Sequence, residues 1–159
     1  MMSHRSFDAA QGKPFPDDDR NEGMSLEEHK SKVRRLVDEA ETNGRLEVVD
    51  ELLAEDFVDH SPLPGLPPTR EGVKMLFAGL RAAFPDLHVT ISEQIAEDSR
   101  VATRKTFRGT HHGDFLGVPA SGRPVEFEVI DILTFEKEKI SEHRVVLDQL
   151  GLLRQMGAM

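Results

Sequence analysis

The chain has 159 residues, of which 38% are hydrophobic, so it is long enough for one domain with a real core and short for two. Its 29 acidic and 20 basic residues give a formal net charge of −9, which leaves a nucleic-acid-binding surface without an electrostatic basis. The lack of cysteine excludes disulfides, thiol catalysis and cysteine-ligated zinc.

Residues 1–24 are predicted to form an N-terminal arm, and residues 25–159 the folded domain. The arm is rich in glycine, proline and aspartate, a composition that cannot bury enough surface to become ordered by itself. We expect either a flexible leader or an arm that wraps its own domain or a sister subunit, anchored by Phe7 and Phe15. Because no signal-peptide core or membrane-length apolar window is found, we expect a cytoplasmic protein without membrane contact.

Three helices are predicted in the first half of the chain. A capping-box pattern that begins at Ser25 starts the first helix, and Asn43-Gly44 ends it. Its apolar face recurs at three- and four-residue spacing through Leu26, His29, Val33, Leu36, Val37 and Ala40. A short second helix is predicted over 46–53. Thr69 caps a third helix, which Pro85 stops.

Strands are predicted from residue 87 onward, where the apolar period changes from 3.6 to 2. They cover 87–95, 101–109, 123–135 and 139–148, and a short apolar segment over 151–156 closes the chain. The strand over 101–109 has no cleanly apolar side, so its orientation stays open. Helices followed by an antiparallel meander predict an α+β domain, with three N-terminal helices packed on a strongly curved, mainly antiparallel sheet.

Two loops are candidates for the edge of a binding site. A short extended piece from Asp56 to His60 leads into a loop with prolines at 62, 64, 67 and 68, which is expected to be a rim or lid. A glycine-punctuated connection over 109–122 carries His111-His112, which we expect to be a solvated lid element and not a ligand pair.

Asp131 interrupts an apolar row in the strand over 123–135. The odd positions of this strand are Val125, Phe127, Val129, Asp131, Leu133 and Phe135, so a single carboxylate lies on an otherwise apolar face. Burial disfavours the charged form of an aspartate, which therefore needs a donor, a cation or a cavity. Asp131 is accordingly the first candidate for a functional residue.

The partner of Asp131 across the predicted hairpin depends on the turn. A two-residue turn at Lys137 and Glu138 places Asp131 opposite Arg144, whereas a three-residue loop places it opposite His143. Patterning favours the second arrangement, because Ser141, His143, Val145 and Leu147 then lie beside the apolar face. This arrangement requires a positive φ near Glu138.

Four pieces of the chain carry a family resemblance: DFVDH at 56–60, GTHHGDFLGVPASGRPV from Gly109, KISEH from Lys139 and DQLGLLRQMGA from Asp148. Together they resemble the SnoaL-like polyketide cyclases of the nuclear transport factor two-like superfamily. The resemblance, which covers about residues 33–158, implies a cone-shaped α+β barrel around an apolar pocket, commonly in a dimer. It also implies cofactor-independent ring closure by intramolecular aldol chemistry, with an aspartate as acid/base beside a histidine and two amides.

The family's catalytic residues do not transfer to this chain. The resemblance matches the family's catalytic aspartate to Val145 and its histidine to Asp131. The glutamine and asparagine of the family match Val129 and Asp59. The resemblance therefore implies a retained pocket whose lining includes Val129, Asp131 and Val145 and whose chemistry is altered.

The candidate catalytic residues are thus Asp131, as a base next to a carbonyl, and His143, which orients it or shuttles the proton. Arg104 could supply positive charge if its side of the strand faces inward, and Asp59 and His60 could position substrate near the rim. Alternatively, Asp131 only ties the hairpin together through His143 or Arg144. The predicted activity is cyclase- or isomerase-like on a small apolar carbonyl compound. The alternative is a noncatalytic protein that binds such a ligand.

No metal ion or other cofactor is expected. A metal site from His60, His111, His143 and Asp131 has no diagnostic spacing. The predicted partners are a small apolar molecule and a sister subunit, which would cover the mixed outer face of the sheet. That face carries Glu128, Ile130, Ile132, Arg144 and Val146.

Overall fold

The computed structural model describes residues 7–8, 13–14 and 23–159. Strand β1 (Phe7–Asp8) pairs antiparallel with β2 (Lys13–Pro14). Most of the predicted arm, including Phe15, lies outside the described residues, so both interpretations of the arm stay predictions. No helix in the described part of the chain is long and apolar enough to cross a lipid bilayer.

The three predicted helices are present. Helix α1 (Leu26–Arg35) begins where the Ser25 Oγ accepts a hydrogen bond from the Glu28 backbone N–H at 3.1 Å, as the capping box predicts. It continues as a π-helix over Leu36–Thr42 and ends at Asn43. Helices α2 (Glu47–Leu52) and α3 (Arg70–Ala83) follow. The π-helical turns were not predicted, and such turns are frequent at functional sites.

Five strands form one mixed sheet in the order β3-β7-β6-β5-β4. Their bounds are β3 (Leu53–Asp59), β4 (His88–Glu97), β5 (Arg100–Thr110), β6 (Pro124–Glu136) and β7 (Lys139–Leu147). All neighbours are antiparallel except β3, which runs parallel to β7. Helix α4 (Gln149–Gln155) closes the chain. The α+β prediction is confirmed, although the parallel edge strand was not foreseen.

The core lies between the helices and one face of the sheet. The odd positions of β5 and β6 are buried against the helices, while most even positions face outward. This alternation orients β5, which sequence pattern alone left open. Two polar side chains, Thr103 and Lys105, are therefore buried between Val101 and Phe107.

The β6–β7 hairpin differs from both predicted registers. Lys137 and Glu138 form a two-residue turn with φ of 48° and 69°. A turn with positive φ at both central residues has a twist that matches the twist of the adjoining strands. A shift of register between Thr134 and Phe135 then moves Asp131 opposite Val145, not Arg144 or His143. The displacement is one residue, as in a β-bulge, with Ser141 as the extra residue of β7. Beyond it, the predicted inward face of His143, Val145 and Leu147 is retained.

Candidate functional site

A cavity lies between the helices and the inner face of the sheet. Its walls are apolar: the helices supply Val33, Leu36, Val37, Val73 and Phe77, and the strands supply Leu53, Phe57, Phe107, Phe127, Val129, Leu133, Val145 and Leu147. The proline-rich loop supplies Pro62, Leu63, Leu66 and Pro67, and the glycine-rich loop supplies Phe115 and Leu116. The cavity volume is about 100 Å³. This is enough for several water molecules or a small ligand.

One lysine joins two carboxylates in the cavity wall. The Lys105 Nζ lies 2.9 Å from Asp131 Oδ2 and 3.1 Å from Glu41 Oε2. All three side chains are nearly inaccessible, because Lys105 keeps 6% of its side-chain exposure and the two acids keep 4% each. Charges in such surroundings interact more strongly than they do in water. The three residues therefore titrate as one unit.

His143 extends this cluster to the rim. Its Nδ1 lies 3.1 Å from Asp59 Oδ1, an oxygen that also accepts a hydrogen bond from the Ser61 backbone N–H at 2.9 Å. Its Nε2 lies 3.8 Å from Asp131 Oδ2, a separation for charge attraction and not for a hydrogen bond. A positively charged His143 is thus held between two aspartates.

The surroundings move the pKa values of the buried groups in different directions. Burial would raise the pKa of Asp131, but the Lys105 and His143 charges hold this pKa below its usual range. Burial would lower the pKa of His143, but Asp131 and Asp59 raise it to about 9. Burial raises the pKa of Glu41, and the Lys105 charge offsets only part of this effect. Asp131 is therefore ionised at neutral pH, whereas the Glu41 carboxyl binds a proton more readily than an exposed glutamate does.

Asp131 has one oxygen left for a ligand. Its Oδ2 faces Lys105 and His143, whereas its buried Oδ1 has no hydrogen-bond partner within residues 23–159. Buried carboxylate oxygens are normally satisfied, so an orphaned one beside a cavity indicates a place for a donor on a bound molecule.

The predicted site residues fall into two groups. Asp131, His143, Asp59, Val129 and Val145 all line the cavity. The cavity thus brings these five side chains together, and their catalytic and substrate-binding roles stay predictions.

Two predicted site residues lie elsewhere. The His60 Nε2 lies 2.9 Å from Glu142 Oε1, in a partly exposed pair outside the cavity wall. Arg104 is on the outer face of the sheet, where it pairs with Glu93 and Glu128 at 2.9 Å each. The inward orientation considered for Arg104 is wrong, because the neighbouring Lys105 takes the inward position of β5.

His111 also differs from its prediction, whereas His112 is exposed as expected. His111 is fully buried, packs against the Phe84 ring with a centroid distance of 5.7 Å, and places its Nδ1 2.9 Å from Ser121 Oγ. It therefore fastens the base of the glycine-rich loop and is not solvated. Within residues 23–159, no three histidine or acidic side chains are grouped so that they could hold a metal ion.

Sequence reasoning missed Glu41 and Lys105. A signal for Glu41 was present, since it follows Val33 and Val37 at four-residue intervals on the apolar face of the first helix. Lys105 shares strand parity with Val101 and Phe107, but the mixed pattern of β5 concealed which side is buried. These charges meet through the registers of β5, β6 and β7 and through the packing of the helix that carries Glu41 on the sheet.

Comparisons with known proteins give one family. Residues 31–156 match the SnoaL-like polyketide cyclase family. The aklanonic acid methyl ester cyclase DnrD of Streptomyces peucetius is 30% identical over 128 residues, which are 79% of this chain and 88% of DnrD. DauD of Streptomyces sp. strain C5, a cyclase of the same name, is 30% identical over 131 residues, 79% of each chain.

Solved structures agree with the sequence comparison. TsrD from Streptomyces laurentii superposes with a TM-score of 0.79 at 27% identity and covers 86% of this chain and 99% of its own. IdmH from Streptomyces antibioticus superposes with a TM-score of 0.70 at 34% identity and covers 81% of this chain and 98% of its own. With the matched family, the shared fold and the cavity in the expected place, the chain belongs to the SnoaL-like polyketide cyclases.

Proposed function

We propose that this protein closes a ring in a small apolar carbonyl compound by cofactor-independent aldol-type chemistry, with Asp131 as the base. Membership in a cyclase family supports the cyclase or isomerase class. The observation that carries the role of Asp131 is its ionised, buried carboxylate beside an apolar cavity, with Oδ1 unpartnered among the described residues. A substrate carbon–hydrogen bond next to a carbonyl group would meet this oxygen.

The cations that lower the pKa of Asp131 also favour the product of proton removal. When Asp131 takes a proton from carbon, the negative charge moves to the enolate oxygen of the substrate. Lys105 and His143 then lose their anionic partner at Asp131, and the enolate can replace it. A low pKa weakens Asp131 as a base. The same two cations stabilise the enolate, however, so they still have an anionic partner after the proton transfer.

The catalytic set proposed here is not that of the family pattern. Val145 stands at the position matched to the family's aspartate, directly opposite Asp131 across the β6–β7 pair. Residues directly opposite in a sheet have neighbouring side chains on the same face. An acid at 131 therefore borders the same part of the cavity as an acid at 145 would, and moves the base to the neighbouring strand.

The second candidate function is binding of a small hydrophobic ligand without catalysis. The observation that favours it is the same Val145, because the cavity remains apolar where the family has its acid. In this case Asp131, Lys105 and His143 would only hold the strands and helices together. The two functions differ in one respect, which is whether the protein removes a proton from carbon.

The experiment uses aklanonic acid methyl ester, which the names of DnrD and DauD suggest as a first test substrate. The purified protein is incubated with the ester in D2O, and deuterium uptake next to the carbonyl groups and ring closure are followed by mass spectrometry and NMR. We expect both above the protein-free background, and neither in Asp131→Asn. Binding of the ester without exchange or ring closure would contradict the enzyme proposal and favour the ligand-binding function.

A further inference from the structure

We propose that Glu41 is the general acid of this reaction and delivers its carboxyl proton to the alkoxide that forms when the ring closes. The inference rests on the proposed function and adds to it a second catalytic residue. Ring closure requires a donor at this point, because the attacked carbonyl oxygen becomes negatively charged.

The first support is the position of Glu41. It lies in the π-helix Leu36–Thr42, has only 3% exposure as a whole residue, and lines the same cavity as Asp131. A glutamate on the core-facing side of a helix is costly unless its surroundings compensate for the lost hydration. Glu41 is therefore buried at a cost, which the neighbouring polar groups of the cavity offset in part.

The second support is the charge balance of the cluster. Lys105 and His143 carry two positive charges, and Asp131 and Asp59 carry two negative ones. An ionised Glu41 would leave the cluster with an excess negative charge away from water, which is disfavoured. A protonated Glu41 leaves the cluster neutral, and the raised pKa of its carboxyl agrees with this assignment.

The third support is that one cation connects the acid and the base. Lys105 Nζ lies 3.2 Å and 3.1 Å from the two Glu41 carboxyl oxygens and 2.9 Å from Asp131 Oδ2, so both carboxyl groups contact the same ammonium group in the cavity wall. Two carboxyl groups whose surroundings move their pKa values in opposite directions are the usual arrangement of a paired acid and base. The pKa of Asp131 is lowered, and the pKa of Glu41 is raised.

The protons balance over one turnover. Asp131 removes a proton from the carbon next to a carbonyl, and the resulting carbanion forms a bond to a second carbonyl carbon. The electron pair of that carbonyl moves to its oxygen, which takes the proton of Glu41. A proton then passes from Asp131 to the Glu41 carboxylate, directly or through water, and restores both groups. The net change is an isomerisation in which a carbon-bound hydrogen becomes a hydroxyl hydrogen.

The first test needs no substrate. Infrared spectra at neutral pH are recorded for the wild type and Glu41→Gln, and the difference is examined for the carbonyl band of a protonated carboxylic acid. We expect this band in the wild type and its loss in Glu41→Gln. Glu39→Gln, a change at a nearby glutamate that pairs with Arg35 at 2.7 Å, is the control and should keep the band. Absence of the band in the wild type would overturn the proposal.

The second test separates proton removal from ring closure with the same ester. Glu41→Gln can still accept a hydrogen bond from Lys105 but has no acidic proton, so ring closure should slow by about 100-fold or more while deuterium uptake at carbon continues. In the wild type, ring closure should also decline at high pH as Glu41 and His143 lose their protons. In the residual activity of Glu41→Gln the decline should follow His143 alone, whose pKa is about 9.

The outcomes distinguish the two proposals. Unchanged ring closure in Glu41→Gln, with exchange abolished in Asp131→Asn, would overturn only the role of Glu41. Loss of both exchange and ring closure in Glu41→Gln, in a variant that melts like the wild type, would also overturn it, because an acid acting after proton removal is not needed for exchange. Absence of exchange in the wild type would overturn the proposed function itself.

Discussion

At the scale of single residues, Lys105 determines how the buried acids behave. It is the shared contact of Glu41 and Asp131, so the charge of one acid influences the charge of the other. When the residue at 131 is neutral, Glu41 can ionise and balance the positive charge of Lys105. Loss of the Asp131 charge therefore still leaves Lys105 with an anionic partner.

A double-mutant cycle tests this compensation. Asp131→Asn and Glu41→Gln should each retain the fold and change the free energy of unfolding by about 1 kcal/mol, because one carboxylate remains beside Lys105. The double variant should lose about 3–5 kcal/mol, the usual cost of a buried charge without its partner. Urea denaturation measures all three. A double variant no less stable than the sum of the single changes would show that the acids act independently.

The stability of the wild type should fall from neutral to alkaline pH. The pKa of His143 is raised from 6.5 to about 9, so the folded state holds this proton more tightly than the unfolded state does. The resulting stabilisation is fully present below pH 6.5 and is lost as the pH rises through about 9, with a size on the order of 3 kcal/mol. Glu41, whose pKa is also raised, acts in the same direction.

The measurement is the free energy of unfolding between pH 6 and pH 10, for the wild type and for His143→Gln. The variant should show a shallower decline, because the contribution of the His143 proton is absent. An equally steep decline in both proteins would mean that His143 is not held in its charged form by Asp59 and Asp131.

The sequence predicted Asp131, His143 and Asp59 as candidate site residues, but not Lys105 and Glu41. Asp131 was recognisable because a single carboxylate in an apolar row violates the pattern of a half-buried strand. Lys105 was hidden, because β5 alternates polar and apolar residues on both sides. Glu41 was hidden in a helix whose apolar spacing was assigned to the core. Contacts between residues 64 positions apart in the chain depend on tertiary packing, which local patterns do not contain.

At the scale of elements, strand faces were easier to predict than strand register. The alternation of β6 and β7 identifies the inward side, because a shift by one residue would expose the whole apolar set. The register also depends on the turn and on bulges. In β7 the even-numbered Ile140 faces the core near the turn, whereas the odd-numbered residues face the core from His143 onward. This change from even to odd positions marks the bulge.

The hairpin turn offers a stability test that leaves the cavity intact. Lys137 and Glu138 both have positive φ, which costs a residue with a side chain roughly 1 kcal/mol. Replacing them together by Asn-Gly, the preferred pair for this turn, should raise the free energy of unfolding by about 1 kcal/mol. The Glu138 backbone oxygen, which accepts from Lys32 Nζ at 2.8 Å, is retained. No gain in urea denaturation would indicate that the turn is unstrained.

At the scale of the whole molecule, the outer face of the sheet carries an apolar patch. Val146 is 76% exposed, and its neighbour Ile130 on β6 is 51% exposed. Arg104 lies beside Ile130 on β5 and pairs with Glu93 and Glu128, so charges of both signs border the patch. A surface of this kind can face a copy of itself across a two-fold axis, where each cation meets an anion of the other copy.

We therefore propose a homodimer through the outer face of the sheet, which light scattering after gel filtration can test. The wild type should have the mass of two chains, and Val146→Asp should dissociate it because two buried carboxylates would meet near the axis. Met75→Asp, at an exposed apolar position on α3, is the control and should stay dimeric. A wild type that is monomeric at high concentration would contradict the proposal.

Asp131 is proposed to remove a proton from carbon in a mostly apolar cavity. The most direct measurement is the rate of deuterium uptake by the test ester in D2O, with wild type and Asp131→Asn compared at equal concentration after both have been shown to be folded by thermal melting. We expect uptake above background in the wild type and a loss of about 100-fold or more in the variant. Equal uptake by the two folded proteins would contradict it.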